Sequence, residues 1–239
     1  MVAENRIIVA LDLASAEDAV RLAKRVAPPV GAYKVGHGLL HAAGPGIATA
    51  LVDLGKPVFA DAKLHDIPSQ VNAAARRLGR LGVRWVTVHV SGGQAMVRAA
   101  VEGLGETSDG YAGVLGVTML TSIGQSDLVA IGMGSSPGKL VSKMSRVAVA
   151  AGAEGIVCSP QELAVVTAVA PRLLRVTPGV RPAGAATGDQ QRVMTPQEAI
   201  DRGAQWLVIG RPITAAPDPE SAAAELAQIA PIPFDVAGR

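Results

Sequence analysis

The amino-acid sequence predicts a (β/α)₈ TIM barrel, a single domain over residues 1–239. Three observations carry that expectation. Eight short apolar runs alternate with eight helical segments, with no linker or low-complexity stretch between them. The runs are nearly continuous in apolar residues, as strands of a parallel sheet covered on both faces are. Polar and charged residues gather just after the runs, where such barrels carry their chemistry. A doubly wound open sheet is the competing architecture. It would call for a glycine-rich turn after the first strand, and Leu11-Asp12-Leu13-Ala14-Ser15 holds no glycine.

The first strand is Arg6 to Leu11. Ser15 then offers an N-cap, and Glu17 and Asp18 an acidic first turn, for a helix to about Val26. Ala32 to Gly36 is the second strand, followed by helical residues to about Leu54. Val58 to Lys63 is the third. Pro68 opens its helix, where a missing N–H costs nothing, and the helix runs to about Leu81. Val83 to Val90 is the fourth strand, and Ser91-Gly92-Gly93 leads into a helix to about Leu104. Ala112 to Thr118 is the fifth. The stretch 119–137 is long, glycine-rich and irregular, which suits a mobile lid, and Lys139 to Ala151 is helical. Gly155 to Cys158 is the sixth strand, with a Ser-x-x-Glu helix start at Ser159 and Glu162. Leu173 to Val176 and Gln205 to Ile209 are the seventh and eighth. Helices begin at Thr195-Pro196 and Asp218-Pro219, and Gly82, Gly152 and Gly203 fall where helices stop.

Composition narrows the function. The chain is 49% hydrophobic, 18% charged and 3% aromatic, with a net charge of +2, so neither a basic nucleic-acid surface nor an aromatic stacking platform is expected. No apolar run reaches the length of a membrane span, and the N-terminus carries no signal-peptide core. One cysteine, Cys158, cannot form an internal disulfide, and its apolar surroundings predict a buried structural thiol. A soluble cytoplasmic globular protein is the expectation.

The densest chemistry is Asp61-Ala62-Lys63-Leu64-His65-Asp66-Ile67-Pro68. Alternation along a strand puts Asp61 and Lys63 on one side, while Asp66 lies beyond the pleat. Other strand ends add Asp12, Lys34, His89 and Thr118. Each has a plainer reading: Asp12 solvating a strand end, Lys34 and Asp61 a structural ion pair, Asp66 a helix N-cap, His89 a hydrogen-bonded core histidine. Charges of both signs at adjacent strand ends favour a site. A second group, Pro178-Gly179-Val180-Arg181, the loop 184–192 and Gly210-Arg211, follows strands seven and eight. Barrels hold phosphate there, and arginine forks suit its oxygens. No metal-ligand spacing and no G-x-S-x-G elbow occurs.

These residues resemble the orotidine 5′-phosphate decarboxylase family. The likeness rests on Ala10-Leu11-Asp12, Lys34-Val35-Gly36, Asp61 to Pro68, His89 to Gly93, Leu120-Thr121-Ser122, Thr177 to Pro182, Asp189-Gln190-Gln191-Arg192 and Ile209 to Pro212, in order along nearly the whole chain. The resemblance implies decarboxylation of orotidine 5′-phosphate to UMP without metal or cofactor. It implies an alternating tetrad of Lys34, Asp61, Lys63 and Asp66, with Lys63 the proton donor and Asp66 crossing a homodimer interface. It places Asp12 and Lys34 on the ribose, Thr121 near the pyrimidine, and Arg181, Gln190, Gly210 and Arg211 on the phosphate and pyrimidine edge. The chain departs from the family pattern at Gln70, where a threonine is usual, at Ala62, and at His37-Gly38. A sister decarboxylase acting on a keto-sugar phosphate with Mg²⁺ on Asp61, a Schiff-base aldolase through Lys63, and a silent nucleotide-binding barrel are the alternatives.

Overall fold

Side chains on a strand alternate between two faces, so a buried strand must serve two cores. Here it does. A computed structural model describes residues 5–134, 136–181 and 194–231. Its strands are Ile7–Ala10 (β1), Ala32–Val35 (β2), Val58–Leu64 (β3), Trp85–His89 (β4), Gly113–Val117 (β5), Gly155–Val157 (β6), Leu174–Thr177 (β7) and Trp206–Ile209 (β8). Each pairs in parallel with the next, and β8 returns to β1 through Ile7↔Leu207, Ile8↔Val208 and Val9↔Ile209, closing the barrel. The expected (β/α)₈ architecture is the one observed.

Ile8 and Ala10 turn inward to join Ala32, Phe59, Trp85, Leu115, Val176 and Val208 in a core inside the barrel. Ile7, Val9 and Leu11, one residue out of phase, pack outward with Val35, Val58, Val86 and Val88 against the helices. At the N-terminal end of the barrel the rings of Trp85 and Trp206 meet edge-to-face at 5.2 Å. Gly31 leaves room for this contact, because a Cβ there would collide with the Asn5 carbonyl and the Trp206 ring.

The outer layer comprises Ala16–Val26 (α1), His37–Ala43 (α2), Gly46–Val52 (α3), Pro68–Gly79 (α4), Gln94–Ser108 (α5), Gln125–Ala130 (α6), Pro137–Ala151 (α7), Leu163–Val169 (α8), Pro196–Asp201 (α9), Arg211–Thr214 (α10) and Pro219–Ile229 (α11). Ser15, Ser159, Thr195 and Asp218 accept backbone N–H groups at helix starts as their sequence motifs predict. Gly82, Gly152 and Gly203 all take positive φ just past helix ends.

The structure departs from the sequence reading at several elements. The segment after β2 is two helices rather than one, broken where Gly44 takes φ +70° ahead of Pro45. The stretch 119–137, read as irregular, contains α6, at whose start the Asp127 carboxylate accepts the Gly124 N–H at 2.8 Å. No helix among the described residues is long and apolar enough to cross a membrane.

Candidate active site

β3 does not run as a simple pleat to its end. Ala60 pairs with Val86 and Leu64 with Val88, so Asp61, Ala62 and Lys63 all oppose the single residue Thr87. That bulge puts Lys63 in the left-handed region at φ +44°, a conformation costing a non-glycine residue about 1–3 kcal/mol. Asp61 and Lys63 still face the same cavity, as alternation from Phe59 predicts. The bulge sets the local backbone from which Lys63 reaches Asp61, and bulges are common next to active sites.

The charges form one connected array. Lys63 Nζ donates to Asp61 Oδ2 at 2.7 Å, and Lys34 Nζ lies 3.5 Å from the same oxygen. Lys34 also donates to Asp12 Oδ1 at 3.0 Å. Asp61 Oδ1 accepts the Thr87 hydroxyl at 2.9 Å. Lys34 and Asp61 are buried, and an isolated charge there would cost several kcal/mol, so the sequence of opposite partners is what keeps the array ionic. Burial alone would raise the Asp61 carboxyl. The ammonium groups of Lys34 and Lys63, with hydrogen bonds from Lys63 and Thr87, outweigh it and hold the group below the ordinary carboxylate range. Gly36 is tied to this array by space: a Cβ would stand 2.7 Å from Asp12 Oδ1 and 2.9 Å from Lys34 Nζ.

A cavity of about 490 Å³ opens over the array, within the range of small-molecule sites. Asp12, Lys34, Asp61, Lys63, Thr121, Arg181, Gly210 and Arg211 all line it. Eight of the sequence-predicted site residues thus share one chamber. Its floor is apolar, with Phe59 and Val208 belonging at once to the cavity wall and to the inner core. Arg181 is nearly buried, and its guanidinium donates to the Val180 carbonyl at 2.9 Å.

One predicted residue stands apart, and one lies outside the described residues. Asp66 is exposed, and its carboxylate accepts the Ile67 N–H at 2.7 Å rather than meeting Lys63. It is not the N-cap of α4 either; that position is Ile67. Gln190, with the rest of the 184–192 loop, lies outside the described residues. His89 is half-buried beside His65, their ring centroids 5.4 Å apart. Burial, then His65 and the Lys63 ammonium, push its imidazole below the usual range.

Thr87 escaped the sequence reading, although parity offered a signal. Trp85 points into the barrel, so Thr87 and His89 share its face, and a hydroxyl there needs a polar partner. Cys158 is buried as predicted, yet it also borders the cavity. Burial, with the Glu162 carboxylate adding, pushes its thiol up to about 12. Since the thiolate is the reactive form, native protein at mildly alkaline pH is expected to resist an aromatic disulfide reagent and to react promptly once unfolded. Equal rates in both states would place Cys158 in contact with solvent.

Fold and site together define a ligand-binding (β/α)₈ barrel whose working groups converge at the C-terminal mouth of the strands. Residues 5–226 match the sequence model of the Orotidine 5′-phosphate decarboxylase / HUMPS family, and the chain belongs to that family. A protein of Anaeromyxobacter sp. (strain K) described as orotidine 5′-phosphate decarboxylase is 50% identical over 224 residues, spanning 93% of this chain and 97% of its own. One of the same description from Thermobifida fusca is 49% identical over 223 residues, spanning 92% and 94%. The crystal structure of orotidine 5′-phosphate decarboxylase from Lactobacillus acidophilus superposes with a TM-score of 0.82 at 33% identity, covering 94% of this chain and 98% of that one.

Proposed function

We propose that this chain decarboxylates orotidine 5′-phosphate to UMP and CO₂, as its relatives' names describe for them. The observation that carries the reading is the Asp12–Lys34–Asp61–Lys63 array, which lines one cavity together with Arg181 and Arg211. The arginines supply forks for the 5′-phosphate. Asp12 and Lys34 meet the ribose hydroxyls, and the pyrimidine lies over Asp61 and Lys63 with Thr121 at its far side. The apolar floor at Phe59 and Val208 excludes water beneath the ring.

In the reaction the bond from C6 to the carboxylate carbon breaks and its electron pair stays on C6. That pair lies in the ring plane and cannot delocalise into the π system. Electrostatics must then supply a stabilisation towards the upper end of the roughly 8–23 kcal/mol that enzymes provide. A fixed ammonium placed where charge develops does this without reorganising. Lys63 then gives its proton to C6, completing UMP, and regains one from water. Asp61 aims the ammonium. Binding energy from the remote phosphate goes into dehydrating the site.

The reading includes a homodimer in which Asp66 completes the partner's site. Residues 65–70 form a continuous exposed strip, and Ile67 within it is 62% exposed, which favours a partner packed there.

The test is the absorbance change on adding purified protein to orotidine 5′-phosphate, with and without a strong chelator. Conversion to UMP that the chelator leaves untouched is expected. Chelator-sensitive turnover of a keto-sugar phosphate instead would move the chain to the other branch of its family. UMP binding with no turnover would leave a silent nucleotide-binding barrel.

A further inference from the structure

We infer that Thr87 is a positioning residue for the proton donor, holding Lys63 at both its backbone and, through Asp61, its side chain; the inference rests on the decarboxylase reading above. The Thr87 hydroxyl oxygen accepts the Lys63 backbone N–H at 2.9 Å, and the same hydroxyl donates to Asp61 Oδ1 at 2.9 Å. Asp61 Oδ2, the other oxygen of that carboxylate, accepts from Lys63 Nζ at 2.7 Å. A closed circuit results, running from the Lys63 backbone through one hydroxyl and one carboxylate to its own ammonium.

Lys63 needs such a clamp. At φ +44° its backbone is strained, and the bulge has removed the regular ladder bonds that would fix it. Strained backbone at a functional position persists only where its surroundings over-determine it. Thr87 is fully buried at the one β4 position opposite the bulge, so no water competes for its hydroxyl. It does not border the cavity. Its action is therefore exerted on Lys63 and Asp61, not on the ligand. A valine at 87 would fill the same volume and leave both partners without their bond.

The test compares wild type with Thr87→Val and Thr87→Ser, reading turnover, UMP affinity and the pH profile of kcat/KM. Loss of a charge-assisted hydrogen bond and of the backbone anchor is expected to lower kcat by about ten- to a hundredfold in Thr87→Val. UMP affinity is expected to stay within about twofold, because no ligand contact is lost. The hydroxyl is one of the groups holding the Asp61 carboxyl low. Its removal is expected to move the acid limb of the profile to higher pH. Thr87→Ser, which restores the hydroxyl without the methyl, is expected to recover most of the rate and the wild-type limb.

Equal losses in the valine and serine variants would make Thr87 a packing residue and overturn the inference. So would a valine variant with unchanged kcat and limb. Absence of decarboxylation by wild type would instead remove the underlying reading, so the two failures are separable. Should Thr87→Val not fold, as its circular dichroism would reveal, Thr87→Ala lacks the hydroxyl equally and takes its place against serine.

Discussion

Replacing Lys63 with alanine is expected to abolish turnover of orotidine 5′-phosphate while the protein still binds UMP. On the proposed mechanism two contributions vanish together: the ammonium that stabilises charge at C6 and the proton that quenches it. General acids supply about 10²–10⁴-fold and a single electrostatic donor about 10²–10³-fold. A fall of roughly ten-thousandfold or more in kcat follows. The fold should survive. Asp61 keeps Lys34 at 3.5 Å and the Thr87 hydroxyl at 2.9 Å, so its buried carboxylate does not become an uncompensated charge. Arg181, Arg211 and Asp12, the proposed nucleotide contacts, still line the cavity. Steady-state kinetics and UMP titration of the same preparation check the two halves. Normal turnover would end the proposed role of Lys63, whereas parallel loss of UMP binding would make it a binding group.

Asp66→Asn is expected to cost about a hundredfold in kcat/KM, the scale of truncating one member of a desolvated charge pair. The loss should be rescued in trans. In a heterodimer of Lys63→Ala with Asp66→Asn subunits, one site has lost both groups. The other combines an intact Lys63 with an intact Asp66 from its neighbour. Free exchange of equal amounts makes half the dimers heterodimers, so roughly a quarter of wild-type activity should return. Failure to recover activity, with exchange demonstrated by differently tagged subunits, would place Asp66 in its own chain's site or outside the chemistry. The exposure of Asp66 and its separation from Lys63 within one chain motivate this experiment.

Much of this architecture was legible in the sequence because the governing signals are local. Runs such as Ile7 to Leu11 state their own burial, and Ser159, Thr195 and Asp218 announce helix starts within four residues. Charges at strand ends could be assigned to one mouth because barrel closure brings every strand end there. What stayed hidden depends on pairings between distant segments. The bulge at Lys63 is defined only against the register of β4, so nothing in Asp61-Ala62-Lys63 reveals it. Thr87 looked like one more β-former, since its value lies in partners 24 and 26 residues away. The short helix α6 was missed because Gly124, Gly132 and Gly134 around it mark an irregular loop. Asp66 is exposed and bonds only the neighbouring Ile67 N–H within its own chain, and its proposed role needs a second copy.

The bulge also sets the size of the part that could be moved to another protein. Grafting Asp61 and Lys63 as side chains onto a regular barrel strand would keep them on one face but lose the Lys63 backbone geometry and its Thr87 anchor. The transferable unit is two strands deep: three consecutive residues of one strand with the single threonine of the next. Deleting one residue within that unit would do more than shorten a loop. It would return Lys63 to the pleat, turn a neighbouring residue into the chamber and exchange an ammonium for a methyl or an isobutyl group. Insertions and deletions should therefore be excluded from Asp61–Leu64 in any library built on this barrel. Changes to the cavity floor at Phe59 and Val208 can be explored by substitution alone.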